Sequence, residues 1–144
     1  IYSKQLYIDE AISKMRTAIE LKNNNPNYHL HLGSLFLKNG DTYSAKVETL
    51  KAINLQPKNA RAYFLLSQVY ARQGENQKAI EKCKDAINLK NNRPNFHHHL
   101  GNVLLRIGDI DAAIVAQKKA IELDPKNEKY QKALSKMSEK KKKQ

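Results

Sequence analysis

The chain has 144 residues, about 40% of them apolar, and a formal net charge of +12. This is enough for one compact domain or a short repeat array, but no apolar run approaches the roughly 20 residues a membrane span requires. The single cysteine, Cys83, excludes an internal disulfide, and an intracellular, cytoplasmic setting is expected.

Residues 1–25 read as a partial unit. Ala11, Ile12, Ala18, Ile19 and Leu21 have the spacing of one helix, while Ile1 to Gln5 fit only the end of an earlier one and Leu6 stands where a turn is expected. A chain that begins inside a unit leaves the apolar side of Ala11–Leu21 open, which predicts either self-association or a partner at that face. Residues 26–59 then show apolar residues at i, i+3, i+4 and i+7 in two stretches, about Asn27–Asn39 and Thr42–Leu55.

The same pattern returns in residues 60–93 and 94–127. A shift of 34 aligns Gly40, Gly74 and Gly108; Ala45, Ala79 and Ala113; Ala52, Ala86 and Ala120; Leu32, Leu66 and Leu100; and Leu55, Leu89 and Leu123. The glycines fall where a first helix must stop and reverse, which needs a left-handed residue. Asp41, Glu75 and Asp109 follow, placing an acid at the positive end of the second helix. The alanines let the paired helices approach closely, and Pro57 and Pro125 end two of the second helices. In residues 128–144, Tyr130, Leu134 and Met137 predict a helix that covers the apolar end face of the stack, followed by a solvated Lys-rich tail. Seven lysines and two glutamates in this segment account for +5 of the net charge.

The order His29, Leu32, Gly33, Phe36, Gly40, Ala45, Ala52, Pro57 resembles the tetratricopeptide repeat family. Tyr63, Leu66, Ser67, Tyr70, Gly74, Ala79, Cys83, Ala86 and His97, Leu100, Gly101, Leu104, Gly108, Ala113, Ala120, Pro125 repeat it. Asn91 replaces the closing proline, and His29 and His97 stand where Trp is common. The resemblance implies an all-α, right-handed superhelical solenoid of antiparallel helix pairs with a C-terminal capping helix. Cys83 takes a packing position in this register and is expected to be buried and slow toward thiol reagents, with Cys83→Ala costing little.

Histidines occur in two similar stretches, "NNNPNYHLHLG" and "NNRPNFHHHLG". The units opening at Pro26 and Pro94 share 18 of 34 residues, so the histidines were copied with an ancestral pair of repeats. Pro26 and Pro94 open helices that Asn27 and Asn95 are expected to cap. Adjacent helical residues point about 100° apart, so His97, His98 and His99 do not converge on one ion, and a helical zinc pair would need i, i+4 spacing. No metal and no cofactor is expected. His29 and His97 are expected between helices, with His31, His98 and His99 toward a groove.

In the family, first helices line a concave groove in which partners lie as extended or helical peptides. The resemblance places Asn27, Leu30, His31, Ser34, Leu37 and Lys38 there from the first full unit. Arg61, Phe64, Leu65, Gln68, Ala71 and Arg72 come from the second, and Asn95, His98, His99, Asn102, Leu105 and Arg106 from the third. Leu30 and Phe64 are apolar anchors, and Lys38, Arg72 and Arg106 form a basic stripe. Each stripe residue also lies in the last turn of a helix, where a cation complements the dipole. The two-carboxylate clamp that binds chaperone C-termini is absent, since Leu30, Ser34, Leu65, Asn95 and His99 stand at its positions. The Asn-rich groove of O-linked sugar transferases fails too, at His31, Leu65 and His99.

No converging nucleophile, base and charge stabiliser appears, and no phosphate-binding loop, so no catalysis is expected. The expected function is a protein–protein interaction scaffold that binds a protein or peptide segment, acidic in character, in the groove. Two alternatives are an accessory arm of a larger glycosyl- or sulfotransferase-like enzyme, and nucleic-acid binding through the basic surface. The second requires a steep salt dependence of affinity and is disfavoured by the lack of a repeated stacking aromatic in the groove.

Overall fold

A computed structural model describes residues 2–21 and 25–144. Among these the chain forms eight helices and no strand: α1 (Tyr2–Leu21), α2 (Pro26–Lys38), α3 (Thr42–Leu55), α4 (Ala60–Arg72), α5 (Asn76–Leu89), α6 (Pro94–Arg106), α7 (Ile110–Leu123) and α8 (Glu128–Lys142). The pairs α2/α3, α4/α5 and α6/α7 pack along their length. Each second helix meets the next first helix, and the first helices α2, α4 and α6 also touch one another in turn. The result is a solenoid with its first helices drawn together on one side.

The turns inside the pairs follow from glycine. Gly40, Gly74 and Gly108 have φ of 83°, 80° and 85°. In the first pair the Gly40 N–H donates to the Leu37 carbonyl at 3.0 Å and the Asp41 N–H to Phe36 at 2.9 Å. These two bonds close off carbonyls that the helix end would leave unpaired. Asp41 and Asp109 then cap α3 and α7, accepting from the N–H groups of Ser44 and Ala112 at 3.1 and 3.2 Å. Glu75, one methylene longer, makes no such bond to α5. The six repeat alanines, 45, 52, 79, 86, 113 and 120, are all 0% exposed, so no larger side chain fits there without overpacking.

The expected caps at Asn27 and Asn95 are corrected. Proline occupies the first helical position of α2 and α6, so the cap must precede it. Asn25 is that residue for α2 and accepts from the Asn27 N–H at 3.0 Å. For α6 the position is held by Arg93, whose side chain makes no capping bond.

The break expected at Leu6 is also absent, because α1 runs unbroken from Tyr2 to Leu21; Ile1 lies outside the described residues. Leucine gains nothing by leaving the helix, and among the described residues no companion helix turns the chain back. At the far end α8 packs on α7, with Met137 1% exposed among Leu100, Val103, Leu104, Ala113 and Ala116. The lysines that follow continue the helix to Lys142 and stay exposed. One of them, Lys141, pairs with Asp111 at 2.6 Å.

Candidate binding groove

The histidine stretch has a structural explanation. His97 is buried, and its Nε2–H donates to the carbonyl of Asn91 at 2.9 Å. At the same register Tyr63 donates through its hydroxyl to Pro57 at 3.0 Å, and Gln131 through Nε2 to Pro125 at 2.7 Å. Three different side chains thus hold the loop between repeats by its carbonyl six residues back. His29 is likewise buried and sits 2.7 Å from the Glu48 carboxylate. These two histidines fix the array.

His98 and His99 turn toward the first-helix side but are engaged. His98 Nδ1 lies 2.9 Å from Oε1 of the buried Gln117, and its Nε2 accepts from Asn102 Nδ2 at 3.3 Å. Gln117 in turn donates to the Tyr130 carbonyl at 2.9 Å. This network ties α6 to α7 and α8, and the His98 ring also tilts against Tyr130 with centroids 4.7 Å apart. Burial raises the Tyr130 hydroxyl pKa, and Asp124 adds to it. The Ser67 hydroxyl spends its proton on the Ala79 carbonyl at 2.6 Å. It therefore accepts from His99 Nε2–H at 2.9 Å.

His99 also packs edge-on against Phe64, at 5.3 Å and 83°. Burial pushes its pKa down to about 4, with the charges of Arg106 and His98 adding to the effect. The fold thus prefers neutral His99. Its contribution is present above the unfolded value of 6.5 and is lost as pH falls toward 4. Thermal unfolding followed by circular dichroism should show a midpoint that drops across this window, with a shallower drop in His99→Gln.

Cys83 is buried, and its thiol donates to the Phe96 carbonyl at 3.2 Å. Burial pushes its pKa up to about 12, so reactive thiolate is scarce. Cys83→Ala therefore removes a hydrogen bond as well as a small volume, a greater loss than the packing register alone suggests.

Many of the groove residues gather around two cavities and a rim. Leu30, Ser34, Arg61, Phe64, Leu65, Gln68 and Asn95 come together around a cavity of about 270 Å³, with Arg93 and Phe96. Leu30 and Leu65 are buried there, and Phe64 is half-buried, stacked on Phe96 with centroids 4.6 Å apart. His98, Asn102 and Leu105 line a second cavity, of about 560 Å³, shared with α8. Asn27 and Arg61 reach an adjoining rim. His31 is exposed, while Leu37 and Ala71 are buried.

The basic stripe has a structural task. Arg72 donates to the Leu37 carbonyl at 3.4 Å, and Arg106 to the Ala71 carbonyl at 3.2 Å. Each arginine reaches back one repeat to a helix-end carbonyl. Both remain exposed, as does Lys38.

Sequence reasoning missed Arg93, Phe96 and the α8 residues Lys129, Lys132 and Lys136 as groove lining. The register would have found the lysines: one further step of 34 carries Asn95, His98 and Asn102 onto Lys129, Lys132 and Lys136.

These features define a helical-repeat solenoid. Models of the tetratricopeptide repeat match residues 26–59 and 94–127, residues 49–81 and residues 68–108. The chain belongs to the tetratricopeptide repeat family. It is similar to the crystal structure of MamA, with TM-score 0.84, 26% identity, and coverage of 96% of this chain and 81% of that one. TTC0263, a thermophilic TPR protein in Thermus thermophilus, gives TM-score 0.84 at 21% identity, over 93% of this chain and 74% of that one. The first TPR of Spaghetti (RPAP3), bound to the HSP90 peptide SRMEEVD, gives 0.76 at 19% identity, over 79% and 90%. No curated protein matches the chain.

Proposed function

We propose that the chain is an interaction scaffold whose groove, formed by α2, α4 and α6, holds a segment of a partner protein that is acidic and carries one large apolar side chain. The observation behind this is the first cavity: an apolar floor of Leu30, Phe64 and Leu65, with Ser34, Gln68 and Asn95 for hydrogen bonding and Arg61 and Arg93 for charge. A structure with this fold is bound to a peptide that has acidic and apolar residues, which supports a peptide segment as the kind of ligand. Charge steers the encounter and the apolar contact slows release.

Selection from a library of short peptides should enrich Asp and Glu together with one large apolar residue. Gln68 is half-buried on the groove wall, so Gln68→Trp should block the cavity and weaken the selected peptides by about tenfold or more. Val115→Trp, at an exposed position on α7, should leave them unchanged. Enrichment without acids, or equal binding by Gln68→Trp, would overturn the reading.

A second reading rests on α1. Its residues Ala11, Met15 and Ala18 match Ala45, Thr49 and Ala52 by register, yet they are half-buried where those three are 0% exposed. We infer that a second copy of the chain covers this face. Sedimentation velocity should show a concentration-dependent dimer that Met15→Glu abolishes, and a monomer at every concentration would remove the reading.

A further inference from the structure

The cap helix α8 does more than close the stack. Its lysines 129, 132, 136 and 140 continue the register of the groove residues. Lys129 follows Asn27, Arg61 and Asn95; Lys132 follows Leu30, Phe64 and His98; Lys136 follows Ser34, Gln68 and Asn102. Their spacing places them on one helical stripe. The first three line the cavity of about 560 Å³ with His98, Asn102 and Leu105 of α6, above Ala133 and Met137.

A cap needs a polar outer face for solubility alone, but the charge here is distributed differently. Between Glu128 and Glu139 every lysine lies on the groove stripe, while Gln131, Ser135 and Ser138 elsewhere on α8 are uncharged. Several other lysines are paired with acids, as in Lys82 with Asp85, Lys119 with Glu122 and Lys141 with Asp111. Among the described residues Lys129, Lys132 and Lys136 form no ion pair; Glu128 is the acid in the cavity toward α6, and Glu139 lines with Lys132 and Lys136 the cavity on the other side of α8. Three ammonium groups around a partly apolar floor are left to an outside anion.

We propose that α8 is the fourth wall of the groove, and that the cavity between α6 and α8 takes the acidic end of the bound segment. Its carboxylates lie against Lys129, Lys132 and Lys136, and an apolar side chain sits over Leu105 and Ala133. The bound segment thereby acquires a direction, with its more acidic end toward the C-terminal end of the array. This assignment rests on the groove reading above and adds to it.

The test uses a fluorescein-labelled peptide of Glu and Asp residues with one Leu, a Gln/Asn version of it, and an oligouridine. Binding is read by anisotropy at physiological salt. The triple variant Lys129→Gln, Lys132→Gln, Lys136→Gln should weaken the acidic peptide by about tenfold or more, with helicity unchanged. A control triple at exposed second-helix positions, Lys14→Gln, Lys84→Gln, Lys118→Gln, removes the same charge and should change little. The neutral peptide should bind weakly to all three proteins. Equal loss in both triples would reduce the effect to long-range attraction and overturn the assignment. No loss in the first triple, with loss in Gln68→Trp, would leave the groove reading standing and remove the α8 subsite. No binding of the acidic peptide by the unaltered protein would remove both. Tighter binding of oligouridine than of peptide, lost in the first triple, would make α8 a nucleic-acid surface and overturn the proposal.

Discussion

Met137→Ala should destabilise the array by about 2–5 kcal/mol, the range for emptying a buried site of this size. The side chain is 1% exposed. Its Cε lies 3.5 Å from where a Cβ on Gly101 would stand, so it fills the space that glycine leaves between α6 and α8. Stability in a repeat array is a sum of local terms, and the loss should therefore be uneven. Amide exchange should accelerate first in α8 and α7, while α2, α3 and α4 keep most of their protection. Uniform acceleration along the chain would mean that α8 is not an independent cap.

Phe64→Ala should cost about 2–4 kcal/mol, toward the lower part of the range for an aromatic because the ring is only half-buried. It removes the stack on Phe96 and the edge contact with His99, both of which cross from one repeat to the next. With its apolar cover reduced, His99 should titrate above its present value of about 4, which an NMR titration of the ring protons would record. Peptide affinity should fall by roughly 1–3 kcal/mol, as for the loss of an anchor. Phe64→Leu, which retains much of the volume, separates the two effects: it should recover most of the stability and part of the binding. An unchanged His99 titration in Phe64→Ala would show that the ring does not shield the imidazole.

The helix pairs were legible because their punctuation is local. A glycine that must be left-handed, an acid one residue later and alanines at fixed distances announce a helix hairpin before any tertiary contact is known. The burial of His29, His97 and Cys83 was legible from register for the same reason. What His97 donates to was not, because the Asn91 carbonyl is presented by a loop whose path depends on the packed repeats. Leu30 and Leu65 read as groove surface from their register, yet both are buried. First helices drawn together around a concave face cover part of what a single helix would expose. The repeat register alone predicts a break at Leu6, but that position has no glycine to make one and α1 runs through it. The lysines of α8 lie one register step beyond the last complete repeat, where no second helix follows to mark a unit.

Titration of isotope-labelled protein with the acidic, leucine-containing peptide, followed by amide chemical shifts, tests directly whether the ligand lies on the first helices. Shifts at Ser34, Arg61, Gln68 and Asn102, with Tyr43, Glu81 and Val115 on the second helices unmoved, are the predicted result. Shifts confined to α3, α5 and α7, or to Lys140–Gln144, would contradict it.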